Sequence, residues 1–153
     1  MEIRITKRDR RTELACLRSD GSRTTANLGL ALPYHDLAHY VVERHFALRN
    51  GFFGNIAAGY SVEALGDKAV IRTLGAQSAV AEVLARALGS LLTAACSLEQ
   101  FPLLVTEELA ALRLSAPEGL CTAAGEQLLG EFRSLVARYV ALKNGETLRL
   151  QFD

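Results

Sequence analysis

Tryptophan is absent, methionine occurs once, proline three times, and the net formal charge is zero, with 17 Lys plus Arg against 17 Asp plus Glu. Without an indole, the chain lacks the strongest aromatic platform for a sugar or a base. Without a basic excess, it lacks the electrostatic footprint of a dedicated nucleic-acid binder. The three cysteines, Cys16, Cys96 and Cys121, are odd in number and widely spaced, with no C-x-x-C. That argues against both a disulfide framework and a thiolate zinc site, and each is read as a small hydrophobe. The opening MEIRITKRDRR has no apolar h-region and does not read as a signal peptide. The greasiest stretch, Val80 to Leu98, carries Glu82 and Arg86, and reads as a buried helix rather than a membrane span. A reducing, cytoplasmic setting follows as the expectation. No P-loop and no G-x-S-x-G elbow occurs.

What is present is ordinary globular material. Half of the 153 residues are hydrophobic and 22% are charged, enough for one domain over 1–153 with a real core. Charge is uneven, however. Arg4, Lys7, Arg8, Arg10, Arg11, Arg18 and Arg23 make the start basic, which suits either a solvated sheet face or an anionic ligand. Near-zero net charge also eases self-association into a homo-oligomer.

Periodicity divides the chain. Glu2 to Lys7 and Arg11 to Arg18 alternate with period two, and Arg23 to Leu28 is β-branched at Thr24 and Thr25, with Ser19-Asp-Gly-Ser22 as a hairpin turn between the last two. From Pro33 the period becomes helical, as far as Arg49 before the Asn50-Gly51 stop. Phe52 to Tyr60 reads as a second helical segment, and Gly66 to Gln77 as a loop or an irregular crossing. Ser78 to Ala95 gives the cleanest amphipathic stripe. Thr106 reads as the cap of a helix to Leu114, and Ser115-Ala-Pro-Glu118 as a capping box opening a turn or the next helix. Thr122 to Lys143 is the last helix, and Thr147 to Phe152 alternates as a final strand. The expected fold is α+β: a small, mainly antiparallel sheet of three N-terminal strands plus the C-terminal one, packed against a bundle of helices.

Chemistry concentrates in His35-Asp36-Leu37-Ala38-His39, followed by Glu43. On a helical wheel, Tyr34, Leu37, Ala38, Val41, His45 and Leu48 share one side. His35, His39, Val42 and Phe46 share another, with Glu43 at its edge. Two apolar sides predict a helix sandwiched between the sheet and another helix. Histidines four apart project the same way, so His35 and His39 can reach one divalent metal ion. Asp36 and Glu43 are the candidate catalytic residues that would orient or deprotonate water. Glu43 is a poor third ligand, because eight residues of helix span about 12 Å. Glu63, Glu82, Glu107 and Glu126 are all candidates for that position. The competing structural reading makes Asp36 a helix-dipole partner and Glu43 an i, i+4 partner of His39.

His-Asp-x-x-His is similar to the zinc-protease signature His-Glu-x-x-His. The carboxylate here is one methylene shorter, and the likeness goes no further than this motif. The longer segment Leu32-Pro-Tyr-His-Asp-Leu-Ala-His-Tyr-Val-Val-Glu43, continuing to Arg49-Asn-Gly-Phe-Phe-Gly54, resembles a group of small bacterial proteins of similar size. That resemblance implies no activity.

Two functions compete. With no complete catalytic motif, a non-enzymatic binding or interaction protein comes first. The alternative is a small metal-dependent enzyme, hydrolase-like, built on the His35/His39 helix. Neither needs a membrane or nucleic acid.

Overall fold

The structure is a computed structural model and describes residues 1–30 and 32–153. Strands β1 (Glu2–Arg8), β2 (Arg11–Leu17) and β3 (Arg23–Asn27) form the expected meander. Strand β4 (Thr147–Gln151) returns to pair with β1, giving an antiparallel sheet of order β3-β2-β1-β4. Register places Ile3 opposite Cys16 and Leu150, and Ile5 opposite Leu14 and Leu148. These apolar side chains make one buried face, as period-two alternation requires. The opposite face carries ion pairs: Arg4 and Arg149 meet Glu2, and Arg8 and Arg11 meet Glu13. Much of the basic N-terminal stretch is thereby paired. Arg18 does something else, described below.

Six α-helices among the described residues make up the rest of the fold, packed alongside the sheet and on one another: α1 (Tyr34–His45), α2 (Phe52–Ala57), α3 (Lys68–Ile71), α4 (Ala76–Leu92), α5 (Gln100–Ala111) and α6 (Thr122–Val140). Helix α1 is the central one. It packs on both α4 and α6, and every residue from Leu37 to Glu43 is buried. The two apolar sides seen on the wheel therefore both find partners. Its core residues join those of the sheet and of α4, α5 and α6 in one cluster.

Several boundaries differ from the sequence expectation, and three of them bear on packing. Helix α1 ends at His45 rather than near Arg49, because Ala47 takes a positive φ of 51° and Leu48 turns into the core. The Leu48 N–H donates to Glu43 O at 2.9 Å, the six-to-one bond of a Schellman ending. Helix α5 starts at Gln100, so Thr106 lies inside it. Phe101, Val105 and Leu109 form its buried stripe at four-residue spacing, and the Thr106 hydroxyl donates back to Pro102 O at 2.7 Å. The stretch 66–77 read as a loop or an irregular crossing contains the short α3, capped by Asp67 Oδ1 on the Ala69 N–H. Ser115–Glu118 opens a turn, one of the two outcomes expected of it, and α6 begins after Cys121. Among the described residues, no helix is long and apolar enough to cross a membrane.

Candidate metal centre

The i, i+4 spacing on α1 stacks His35 and His39, with ring centroids 4.7 Å apart and planes at 88°. Packing of α1 on α4 then brings Glu82 to both. His35 Nε2, His39 Nε2 and Glu82 Oε2 form a nearly equilateral triangle, with sides of 3.2 Å between the histidines, 3.3 Å from His35 to Glu82 and 3.2 Å from His39 to Glu82. These three residues are the group able to hold a metal ion among the described residues. One proton cannot satisfy three mutual contacts. If both rings donate to Glu82, their N–H groups face each other at the third edge. A cation placed among the three atoms satisfies all of them at once.

Behind the triangle lies Glu43. Its side chain is fully buried, against 5% exposure for His39. Oε1 accepts from the Phe52 N–H at 2.7 Å, and Oε2 accepts from Phe53 and Gly54 at 3.0 and 3.1 Å. Three main-chain donors thus commit Glu43 to accepting. The remaining contact, 3.0 Å from His39 Nδ1 to Glu43 Oε1, then has Nδ1–H as donor. With Nδ1 committed as a donor, Nε2 is the nitrogen that can offer a lone pair to an ion once its proton is displaced. A carboxylate behind a ligand histidine is the standard device for fixing ring orientation at a metal.

The same contacts explain the Gly51-Phe-Phe-Gly54 segment. A Cβ on Gly51 would overlap the Glu43 carboxyl, and one on Gly54 would overlap the main-chain carbonyl of Arg49. Glycine at both positions lets the first turn of α2 close over the carboxylate. The far end of α2 is held by Arg18 from the sheet, whose guanidinium donates to Ile56 O at 2.5 Å and Tyr60 O at 2.6 Å. Opposite charges therefore sit at both ends of this helix in the sense its dipole favours.

Burial opposes a charge on His39, but Glu43 and Glu82 outweigh it and raise its pKa to about 9. Hydrogen bonds from His35 and His39 hold the Glu82 carboxyl well below the usual carboxylate range. The other oxygen of Glu82 faces Arg86 at 3.4 Å, and Arg86 also pairs with Glu108. Asp36 stands in the first turn of α1, outside the triangle. Burial raises its pKa, and the nearby His39 and His35 partly offset that rise. Of the four acids proposed as third ligand, Glu82 is the one brought to the histidines.

The triangle opens on a pocket of about 420 Å³. His39 and Glu82 line it together with Phe52, Leu65, Leu74 and Val83. The Phe52 ring stands 5.4 Å from the His39 ring, centroid to centroid. Asn55 and Arg86 were not legible as parts of this site, and Glu82 was one of four acids the sequence could not choose among, because tertiary packing of α2 and α4 unites them. A signal did exist: Glu82 and Arg86, four apart, are the only charges between Val80 and Leu98. No protein-family model, curated protein or solved structure matches the chain.

Proposed function

We propose that the chain is a small metal-dependent enzyme, hydrolase-like, with one divalent ion held by His35, His39 and Glu82. The observation that carries this reading is the triangle of donor atoms. Donors about 2.0–2.1 Å from a tetrahedral ion lie about 3.3 Å apart. Cis donors of an octahedral ion at the same bond length lie about 3.0 Å apart. Edges of 3.2, 3.3 and 3.2 Å favour the tetrahedral case, and the mixed nitrogen and oxygen set suits zinc. Three protein ligands leave a fourth position, the arrangement of catalytic rather than structural zinc. Such an ion supplies Lewis acidity and a more acidic bound water.

In this reading each candidate residue has a defined place. His35 and His39 are ligands. Glu43 is a positioning residue that sets the His39 tautomer, since its buried side chain has no access to the pocket side. Arg86 orients Glu82. Asp36 serves the helix start and the local field.

Elemental analysis of the purified protein tests the proposal. Stoichiometric zinc, lost in His39→Ala and Glu82→Ala, is expected. A protein that takes up no stoichiometric zinc, manganese, iron or nickel after dialysis sinks it.

The interaction reading rests on the exposed side of α5, whose Leu112 end also lines the pocket beside His39. Leu103, Leu104 and Leu112 of the α5 region are 62%, 45% and 52% exposed, and an exposed apolar patch favours a protein partner or a second copy. Sedimentation at high concentration, with Leu103→Glu as control, checks it.

A further inference from the structure

Resting on the metal reading, we propose that the pocket beside His39 and Glu82 binds a small acyl compound with a hydrocarbon arm, and that it takes an amide in preference to an ester. Three features of the pocket converge on this chemistry. Its volume of about 420 Å³ lies at the lower end of ligand pockets, which suits a compound of modest size. Its walls are chiefly hydrocarbon: Phe52, Leu65, Leu74 and Val83, with Leu65 only 8% exposed before any ligand arrives. At one end stand His39 Nε2 and Glu82 Oε2, where a carbonyl oxygen would meet the ion.

The preference for an amide comes from Asn55. It lines the same pocket and is 7% exposed. Its Nδ2 donates to Asn50 O at 3.0 Å, which fixes the amide orientation and leaves Oδ1 as the free end. Oδ1 accepts no hydrogen bond from any described residue. The buried side-chain polar atom without a partner among the described residues is Arg4 Nε, not this oxygen, so solvent in the pocket reaches Oδ1, and a ligand N–H can take the place of that water. Asn55 lies three residues beyond Phe52, on the neighbouring turn of α2, so the acceptor stands on the Phe52 side of the pocket. An ester offers oxygen to the ion and hydrocarbon to the walls, but nothing to Oδ1.

Calorimetry on zinc-loaded protein separates the parts of the proposal. Hydroxamates carry both a metal-binding oxygen and an N–H, so acetohydroxamic, butyrohydroxamic, hexanohydroxamic and octanohydroxamic acids form the first series. Affinity is expected to rise about two- to fourfold per added methylene, the upper figure corresponding to full burial. Ala79→Phe, which places a ring in the pocket, should flatten the series while retaining zinc. In competition, octanamide should displace octanohydroxamate at a lower concentration than methyl octanoate. A flat chain-length series overturns the hydrocarbon assignment with the metal centre intact. Parity between amide and ester overturns the role of Asn55. If no metal is retained, the metal reading fails by itself. Octanamide binding to the metal-free protein, followed by thermal shift and abolished in Ala79→Phe, then still supports the pocket assignment, and absence of that binding removes it.

Discussion

Acids and bases pair in two places in this molecule, and the pairs have different consequences. On the outer sheet face, Glu2 and Glu13 each meet two arginines, with side chains 29–64% exposed. Between α1, α2 and α4, Glu43 and Glu82 flank His39, which is 5% exposed. Water screens the first set, so each pair contributes roughly 0–1 kcal/mol. In the second set, removing Glu43 strands His39 and three main-chain N–H groups out of water, at a cost of about 3–5 kcal/mol, whereas Glu82, 46% exposed, still reaches water. Burial, more than charge, separates a solvated surface from a candidate site.

The largest effect should therefore come from Glu43→Ala, which leaves three main-chain donors and His39 Nδ1 unmatched. Denaturant titration should show a loss of about 3–5 kcal/mol, equivalent to a melting point lower by roughly 10 °C for a domain of this size. A loss below 1 kcal/mol would erase the contrast between the two regions. Next comes Gly51→Ala, whose new methyl collides with the Glu43 carboxyl. Zinc affinity should fall about 10- to 100-fold, measured by competition with a chelating dye. An unchanged affinity would show that Glu43 does not orient His39.

The third test is pH. The His39 pKa in the folded, metal-free protein stands near 9, above its ordinary 6.5. Its charged form thus adds stability that is fully present below about 6.5 and lost as pH rises through 9. An ion competes with that proton, so zinc affinity should rise over the same interval. The melting point without zinc should consequently fall between about pH 6.5 and 9, whereas with zinc it should stay nearly level, because tighter binding offsets the lost proton. Smallest of all, Arg149→Ala on the sheet face should change stability by under about 1 kcal/mol, with zinc affinity unmoved. Asp36→Asn should likewise spare zinc binding, and a protein that lost its metal on that change would return Asp36 to the centre.

Much of this fold was legible because its signals are local. Ile3 and Ile5 alternate with charges, Asp20-Gly21 makes the turn, and the meander follows. Where a boundary was misplaced, a tertiary demand had overridden the local sign. Leu48 belongs to the core, so α1 unwinds at Ala47 before reaching Asn50-Gly51. Phe101 belongs there too, so α5 starts early and absorbs Thr106. The candidate site divides in the same way. His35 and His39 share one turn of one helix, so their convergence is visible in spacing alone. Glu82 lies 43 residues beyond His39 and reaches it only because α4 packs on α1. The Gly-Phe-Phe-Gly segment was visible as a pattern, whereas its reason, the carboxylate lodged beneath it, required the third dimension.

The lodging of Glu43 under α2 has one more consequence. The amides of Phe52, Phe53 and Gly54 are ordinary protons with their own resonances, and they share a carboxylate with the imidazole that faces the pocket. Their solvent exchange and chemical shifts make a built-in gauge of events at His39, readable without a label or a substrate.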